Sequence, residues 1–287
     1  MIEDSPSENV MNYFYEAVLK GHPLSLPILG TKKSLKNIKK TNMLQYFKDE
    51  FDISRVVISA AGNVKHKNLV DIIKKNIGNI KKKKQIQNFN KQEPTQNSSI
   101  RKIPSGKTNS VHMCFGCLGC RRDSKDKYPI SIFTNLLGGS MSSRLFQKIR
   151  EDEGLAYSIF SSNVQYMDTG IIVIYAASSP KNADRIMELI RNEIKNISRH
   201  GIREAELSIA RENLKGNIVL SIEDISSKMF RLGKGLLFDK NVLTINKILK
   251  KIDNVKKSDL DDIAERYFNL DRMSLVMMGK INQGRSI

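Results

Sequence analysis

A chain of 287 residues exceeds the roughly 100 to 200 residues of an ordinary domain, so two domains are expected, each able to bury a core. Hydrophobic residues at 40% and charged residues at 27% exclude a disordered chain, and no apolar run approaches the roughly 18 residues of a membrane span. The net charge of +18 comes from 48 Lys and Arg against 30 Asp and Glu. Most of the excess is lysine scattered among Asn and Ile, which reads as solvated faces, so neither nucleic acid nor membrane is an expected partner.

Met1 to Pro6 carries two acids and no basic flank before an apolar stretch. It does not read as a targeting segment, and a cytoplasmic location is expected. Glu8 to Lys20 reads as an amphipathic helix stopped by Gly21 and Pro23. Thr41 is the expected N-cap of a helix reaching Glu50, Arg55 to Gly62 (RVVISAAG) reads as a buried strand, and Asn63 to Gly78 holds a third helix. From Lys81 to Asn109 a lysine run followed by Gln, Asn, Ser and Pro reads as a solvated linker.

Beyond it a strand is expected near Ser110 to Leu118, a helix from Asp126 to Leu137 broken at Gly138-Gly139, and a short helix from Ser142 to Asp152. Strands then cover Leu155 to Gln165 and Gly170 to Ser178 about a turn at Asp168 to Gly170. Helices occupy Pro180 to Ser198 and Arg203 to Val219, shorter helices follow, and a strand at Arg272 to Met278 closes the chain. Helices and strands mix without strict alternation, so the fold class is α+β, an antiparallel sheet packed with helices.

Sliding the chain by 217 residues lays Lys36–Val64 on Asp253–Ile281 without a gap, with six identities: Asn37/Asn254, Lys39/Lys256, Lys40/Lys257, Phe51/Phe268, Arg55/Arg272 and Gly62/Gly279. The common order of cap, helix, Phe, Arg, strand and Gly argues for an internal duplication. Residue 1 falls opposite residue 218 while the second copy begins near residue 107, so the expected organisation is a truncated first half at 1–80, a linker at 81–109 and a complete second half at 110–287.

Cys114, Cys117 and Cys120 are odd in number and close together, which is no disulfide framework and fits a reducing compartment. Their C-x-x-C-x-x-C spacing opens some iron–sulfur runs, but the fourth Cys and its Pro are absent and the segment reads as a strand, so no cluster is expected. His22, His66, His112 and His200 are isolated, and none has a second His four residues away with a Glu between. No metal ligand set is therefore expected. Arg150 reads as a cation near a helix C-terminus and Tyr157 as a half-buried strand aromatic.

The segment Leu137 to Ser158 (LGGSMSSRLFQKIREDEGLAYS) resembles the signature of the second half of the pitrilysin-type (insulinase) zinc peptidases, which include mitochondrial processing peptidases. Gly21 to Thr31 (GHPLSLPILGT) and Ala61-Gly62-Asn63 are similar to the late part of the first half of that family. The resemblance implies two similar α+β halves facing each other across a chamber, with zinc held by a His-x-x-Glu-His motif in the first half. That motif is absent here. The third ligand Glu of the family would fall a few positions before Met1; Glu3 is the nearest alternative, but it reads instead as part of the acidic first turn of a helix.

The resemblance assigns Arg150 and Tyr157 to substrate binding: they hold the peptide backbone and the developing oxyanion opposite the metal. Gly138 and Gly139 become candidate loop contacts to substrate, with a plain helix stop as the alternative. No complete catalytic set is expected in this chain, and zinc is expected only in a complete assembly. Expected partners are a peptide or unfolded polypeptide and either a zinc-motif-bearing chain or a second copy. The alternatives are a non-catalytic substrate-binding or structural subunit of a heterodimer, or a truncated gene product exposing apolar surface. A chain at +18 would repel basic presequences, so that substrate is not carried over.

Overall fold

The computed structural model describes residues 5–77, 91–95, 98–104, 108–239 and 242–281. Glu3, the Lys81–Lys84 run and Gly78 lie outside the described residues. Residues cluster into two units. One comprises Met1–Pro27, Lys91–Lys215 and Leu249–Ile287, the other Ile28–Asn90 and Gly216–Ile248.

The first unit is built on a five-stranded sheet. Its strands are β1 (Ile100–Pro104), β2 (Val111–Gly119), β3 (Ala156–Gln165), β4 (Gly170–Ser178) and β5 (Ser274–Gly279), in the order β1-β5-β2-β4-β3. All neighbours pair antiparallel except β1 with β5, which are parallel. The sheet is thus mixed, where the sequence suggested a purely antiparallel one. β1 also lies inside the expected linker: Ile100-Arg-Lys-Ile-Pro is too short and too polar to announce itself, and its strand state comes from its neighbour, with Ile100 opposite Leu275.

Period-2 alternation sends the two faces of each strand to different helices. Ile171, Val173, Tyr175 and Ala177 of β4, Cys114 of β2, and Val276 and Met278 of β5 pack with Val10, Phe14, Ala17, Val18 and Leu19. All but the last of those five belong to α1 (Pro6–Val18). The apolar stripe of α1 therefore joins the N-terminus to a sheet more than 90 residues away in sequence. On the other face lie α5 (Lys127–Gly138), α6 (Ala183–His200) and α10 (Lys257–Tyr267); the thiol of Cys117 donates to Tyr267 O at 3.0 Å, and the Arg191 guanidinium lies 5.9 Å from the Phe115 ring. With both faces covered, all nine residues of β4 are buried.

The second unit holds α2 (Lys32–Asn37), α3 (Lys40–Glu50), α4 (His66–Ile77) and α8 (Ile225–Asp239), while α7 (Glu204–Ser221) and α9 (Ile245–Asp253) begin or end in it. The helix expected with Thr41 as its cap starts two residues earlier: the cap is Lys39, whose backbone N–H donates to Asn42 Oδ1 at 2.9 Å. Arg55 to Gly62 forms no strand. After a 3-10 turn at Ile53–Arg55 the backbone is extended but finds no ladder partner among the described residues, leaving Val56, Val57 and Ile58 exposed. A run of β-branched residues favours a strand only when a neighbouring strand is there to pair with it.

The 217-residue repeat holds element by element. α3 at Lys40–Glu50 maps onto α10 at Lys257–Tyr267, and the 3-10 turn at Ile53–Arg55 maps onto Leu270–Arg272. Lys256 N–H donates to Asp259 Oδ2 as Lys39 N–H does to Asn42, and Asn269 caps Asp271 N–H as Asp52 caps Ser54 N–H. Gly62 and Gly279 both sit at positive φ, +128° and +138°, a region that side-chain-bearing residues rarely adopt. Between the 3-10 turn and this glycine the copies differ: Ser274–Gly279 is β5 within the sheet, whereas the matching residues 57–62 form no strand.

Candidate functional site

Arg150 lies in a π-helical turn at Phe146–Asp152, and Tyr157 enters β3 immediately after the following loop. The π-turn closes on Leu155 N–H, which donates to Ile149 O at 2.9 Å, and Gly154 takes φ +59° to reverse the chain. Arg185 braces the loop with a two-pronged pair to Glu153, Nε–Oε2 at 3.3 Å and Nη2–Oε1 at 3.1 Å. Asn182 Nδ2 donates to Leu155 O at 3.1 Å from the other side.

Both side chains are exposed. The guanidinium of Arg150 rests 5.0 Å from the Phe146 ring centroid. In the β3/β4 ladder Ala156 pairs with Ser178 but Ser158 pairs with Ala177, so Tyr157 is the extra residue of a bulge and is 63% exposed, not half-buried in the sheet. Bulges and π-turns are two devices that re-aim side chains, and both are enriched at functional sites.

Gly138 and Gly139 have a packing role that their expected loop contact did not include. A Cβ on Gly138 would stand 2.6 Å from Ser161 N, and one on Gly139 would stand 2.6 Å from Asn135 Cα. Gly139 sits at φ −90°, so it is small side-chain volume, not backbone freedom, that is required: against β3 at Gly138 and against Asn135 of α5 at Gly139.

Sequence reasoning passed over the ion cluster behind this loop. Arg144 Nη1 meets Glu193 Oε1 at 2.7 Å, while its Nε and Nη2 hold Glu206 at 2.9 and 2.7 Å. Burial alone would raise Glu206, but the hydrogen bonds from Arg203 and Arg144 outweigh it and lower its pKa to about 2. The partners are 49 and 62 residues apart, so no local pattern reveals them. A polar groove of about 480 Å³ between α5 and β3, lined by Asn135, Asn163 and Gln165 among others, was missed as well. Its signal was the Thr134-Asn135 pair inside the apolar run of α5.

Among the described residues no three His, Cys, Asp or Glu side chains come together as a metal-holding group. His22 Nε2 lies 3.2 Å from Asp168 Oδ2, His112 Nδ1 lies 2.7 Å from Tyr175 Oη, and His200 Nδ1 lies 2.8 Å from Asn196 Oδ1. Cys114 faces α1 and Cys117 faces α10, and burial pushes all three thiols up, Cys117 to about 12 and Cys120 to about 11. Among the described residues the donor set does not fit zinc.

A mixed five-stranded sheet covered by helices carries the exposed Arg150/Tyr157 loop. Residues 37–214 match the family model described as the Peptidase M16 inactive domain. The chain belongs to this family. It is 34% identical over 271 residues, 94% of its length, to the uncharacterized zinc protease YmxG of Bacillus subtilis. It is 28% identical over its whole length to an uncharacterized zinc protease of Mycobacterium tuberculosis. The chain spans 65% and 66% of the length of these two relatives.

Solved structures share the fold. A protease from Helicobacter pylori superposes with a TM-score of 0.87 at 18% identity, covering 96% of this chain and 68% of that one. The peptidase M16 inactive domain from Pseudomonas fluorescens gives 0.79 at 17% identity, covering 99% and 68%.

Proposed function

We propose that this chain is the C-terminal portion of a pitrilysin-type zinc metalloendopeptidase, one that supplies substrate-holding residues to a chamber whose metal sits on other material. Arg150 and Tyr157 are the residues we assign to that role. The observation that carries the reading is their placement: a permanent cation on a π-turn and a phenol on a bulge, both exposed at the two ends of one braced loop. A guanidinium and a phenol O–H donate to a peptide carbonyl oxygen more strongly as it gains negative charge, which is how such a wall accelerates hydrolysis.

In this reading residues 1–80 are the tail of a first half-domain, 81–109 connect the halves and 110–287 form the second. The front of the first half, with the zinc ligands, comes from preceding sequence or from a partner chain. Its support is the Val57–Gly62 segment, which has no strand partner among the described residues. By the 217-residue register it corresponds to β5, which is flanked on both sides within its own sheet. The substrate class is peptide or unfolded polypeptide.

The test is to co-express the chain with a front half bearing His-x-x-Glu-His and to measure zinc content and cleavage of a quenched peptide library. Stoichiometric zinc with cleavage that depends on this chain is the expected result. A zinc-loaded complex whose activity is the same without it sinks the reading.

A non-catalytic subunit is the second reading, favoured by the lack of a metal-holding group among the described residues. One structural neighbour at TM-score 0.78 belongs to Complex III2 from Candida albicans, so this fold also occurs within a large assembly. Co-purification with a partner and no effect of Arg150 or Tyr157 substitution on any cleavage would select it.

A further inference from the structure

The short helical segment that carries Arg150 has three sides. Residues four apart on a helical turn share a side, so Leu145 shares one with Ile149, Arg144 another with Lys148 and Phe146 a third with Arg150. Leu145 and Ile149, both 0% exposed, seat the segment on the core. Arg150 is exposed, its guanidinium 5.0 Å from the Phe146 ring. Arg144 and Lys148 both reach one acid: Arg144 Nη1 lies 2.7 Å from Glu193 Oε1, and Lys148 Nζ lies 4.0 Å from Glu193 Oε2.

By hydropathy Glu193 is out of place. It is 6% exposed and lies in the apolar stripe of α6, in line with Ile186, Ile190 and Ile197. A carboxylate buried there without a partner would be costly. Arg144 supplies the partner and turns its other donors, Nε and Nη2, onto the two oxygens of Glu206 in α7. Well-packed apolar side chains would serve stability as well as a buried ion pair does, so a pair kept at this place answers to geometry. Burial of Leu145 and Ile149 is non-directional and does not fix how the segment is rolled about its axis. The forked bonds of Arg144 are directional and reach two different helices. A roll of the segment would break them and swing Arg150 to a new direction.

We propose that Arg144 is the positioning residue of the Arg150/Tyr157 loop: held by Glu193 and Glu206, it sets the roll of the π-turn and thereby the direction in which Arg150 points. Its use in catalysis rests on the proposed peptidase reading, whereas the roll of the turn is a property of the chain itself.

The experiment compares the parent chain with Arg144→Met/Glu193→Leu, which removes both buried charges together and replaces them with apolar bulk. The denaturation midpoint and the hydrogen exchange of β2 and β4 amides are expected to stay at parent values. The Leu155 amide, whose bond to Ile149 O closes the π-turn, is expected to exchange at least about tenfold faster, the scale of one hydrogen bond lost. A merely structural role would speed all these amides together. Should the double variant not fold, Arg144→Lys, which keeps the charge and loses the fork, is expected to speed Leu155 exchange alone. Parent-like Leu155 exchange in the folded variant, or faster exchange shared with the sheet, overturns the proposal. In a complete zinc-bearing assembly the double variant is expected to lower kcat and to have no further effect on top of Arg150→Ala. Independent, multiplicative losses overturn the positioning role as well. An assembly that cleaves nothing removes the peptidase reading and leaves the exchange result to decide the roll of the turn.

Discussion

Tyr157 owes its exposure to one extra residue in a strand, and Arg150 to a turn wound one residue too wide. Neither irregularity is visible in the sequence, where Arg150 passes for a helix-end cation and Tyr157 for a sheet aromatic; the resemblance of LGGSMSSRLFQKIREDEGLAYS to a family signature is what singled them out. If they hold the developing oxyanion, Tyr157→Phe and Arg150→Ala should each lower kcat of a complete zinc-bearing assembly by about 100 to 1,000-fold. Zinc content should not change, and atomic absorption alongside the kinetics checks both.

Glu206 offers a separate acid test. Its folded pKa of about 2 lies below the ordinary value of 4.5. The stability it contributes is therefore fully present above pH 4.5 and is lost as pH falls through 2. Chemical denaturation between pH 5 and 2 should show a loss of stability for the parent chain that is smaller in Glu206→Gln, the variant being the less stable of the two at pH 7.

At the scale of elements, periodicity made most of the second half legible, from β2 through α10. It failed where a strand depends on its neighbours. Arg55 to Gly62 has the composition of a strand and no strand partner among the described residues, whereas Ile100–Pro104 has a poor composition and a ready one. The α5/β3 crossing yields a prediction of its own. Gly138→Ala would force a methyl against the Ser161 backbone at 2.6 Å, and overpacking of this kind costs about 1 to 3 kcal/mol, readable as a shift in denaturation midpoint. The buried cysteines yield another: β2 sends neighbouring thiols to opposite faces and burial holds them protonated. Iodoacetamide at neutral pH should leave Cys114 and Cys117 unlabelled in the native chain and label all three in denaturant.

Across the whole molecule the apolar residues are unevenly invested. Every buried hydrophobic side chain among the described residues belongs to the unit carrying the sheet; in the other, Met43, Leu44, Tyr46, Phe47 and Phe230 are all more than half exposed. Which side chains are left exposed depends on long-range packing and is not legible in the sequence. The isolated chain should bind the dye ANS, and amides of α3 and α4 should exchange with solvent far faster than those of β2 and β4. Mass-spectrometric hydrogen exchange measures this directly, and addition of a front half should slow exchange in α3.

The matched turns of the two copies conceal a divergence in what they carry. At the positions where α10 presents Ile263 and Ala264, both buried, α3 presents Tyr46 and Phe47, both exposed. The two matching segments thus share their turns and differ in their bulk. Grafting 39–55 in place of 256–272 would preserve every cap yet jam a phenyl ring where the sheet-bearing unit leaves room for a methyl, so whatever mould α3 was cast for has a wider hollow than any this chain offers to α10.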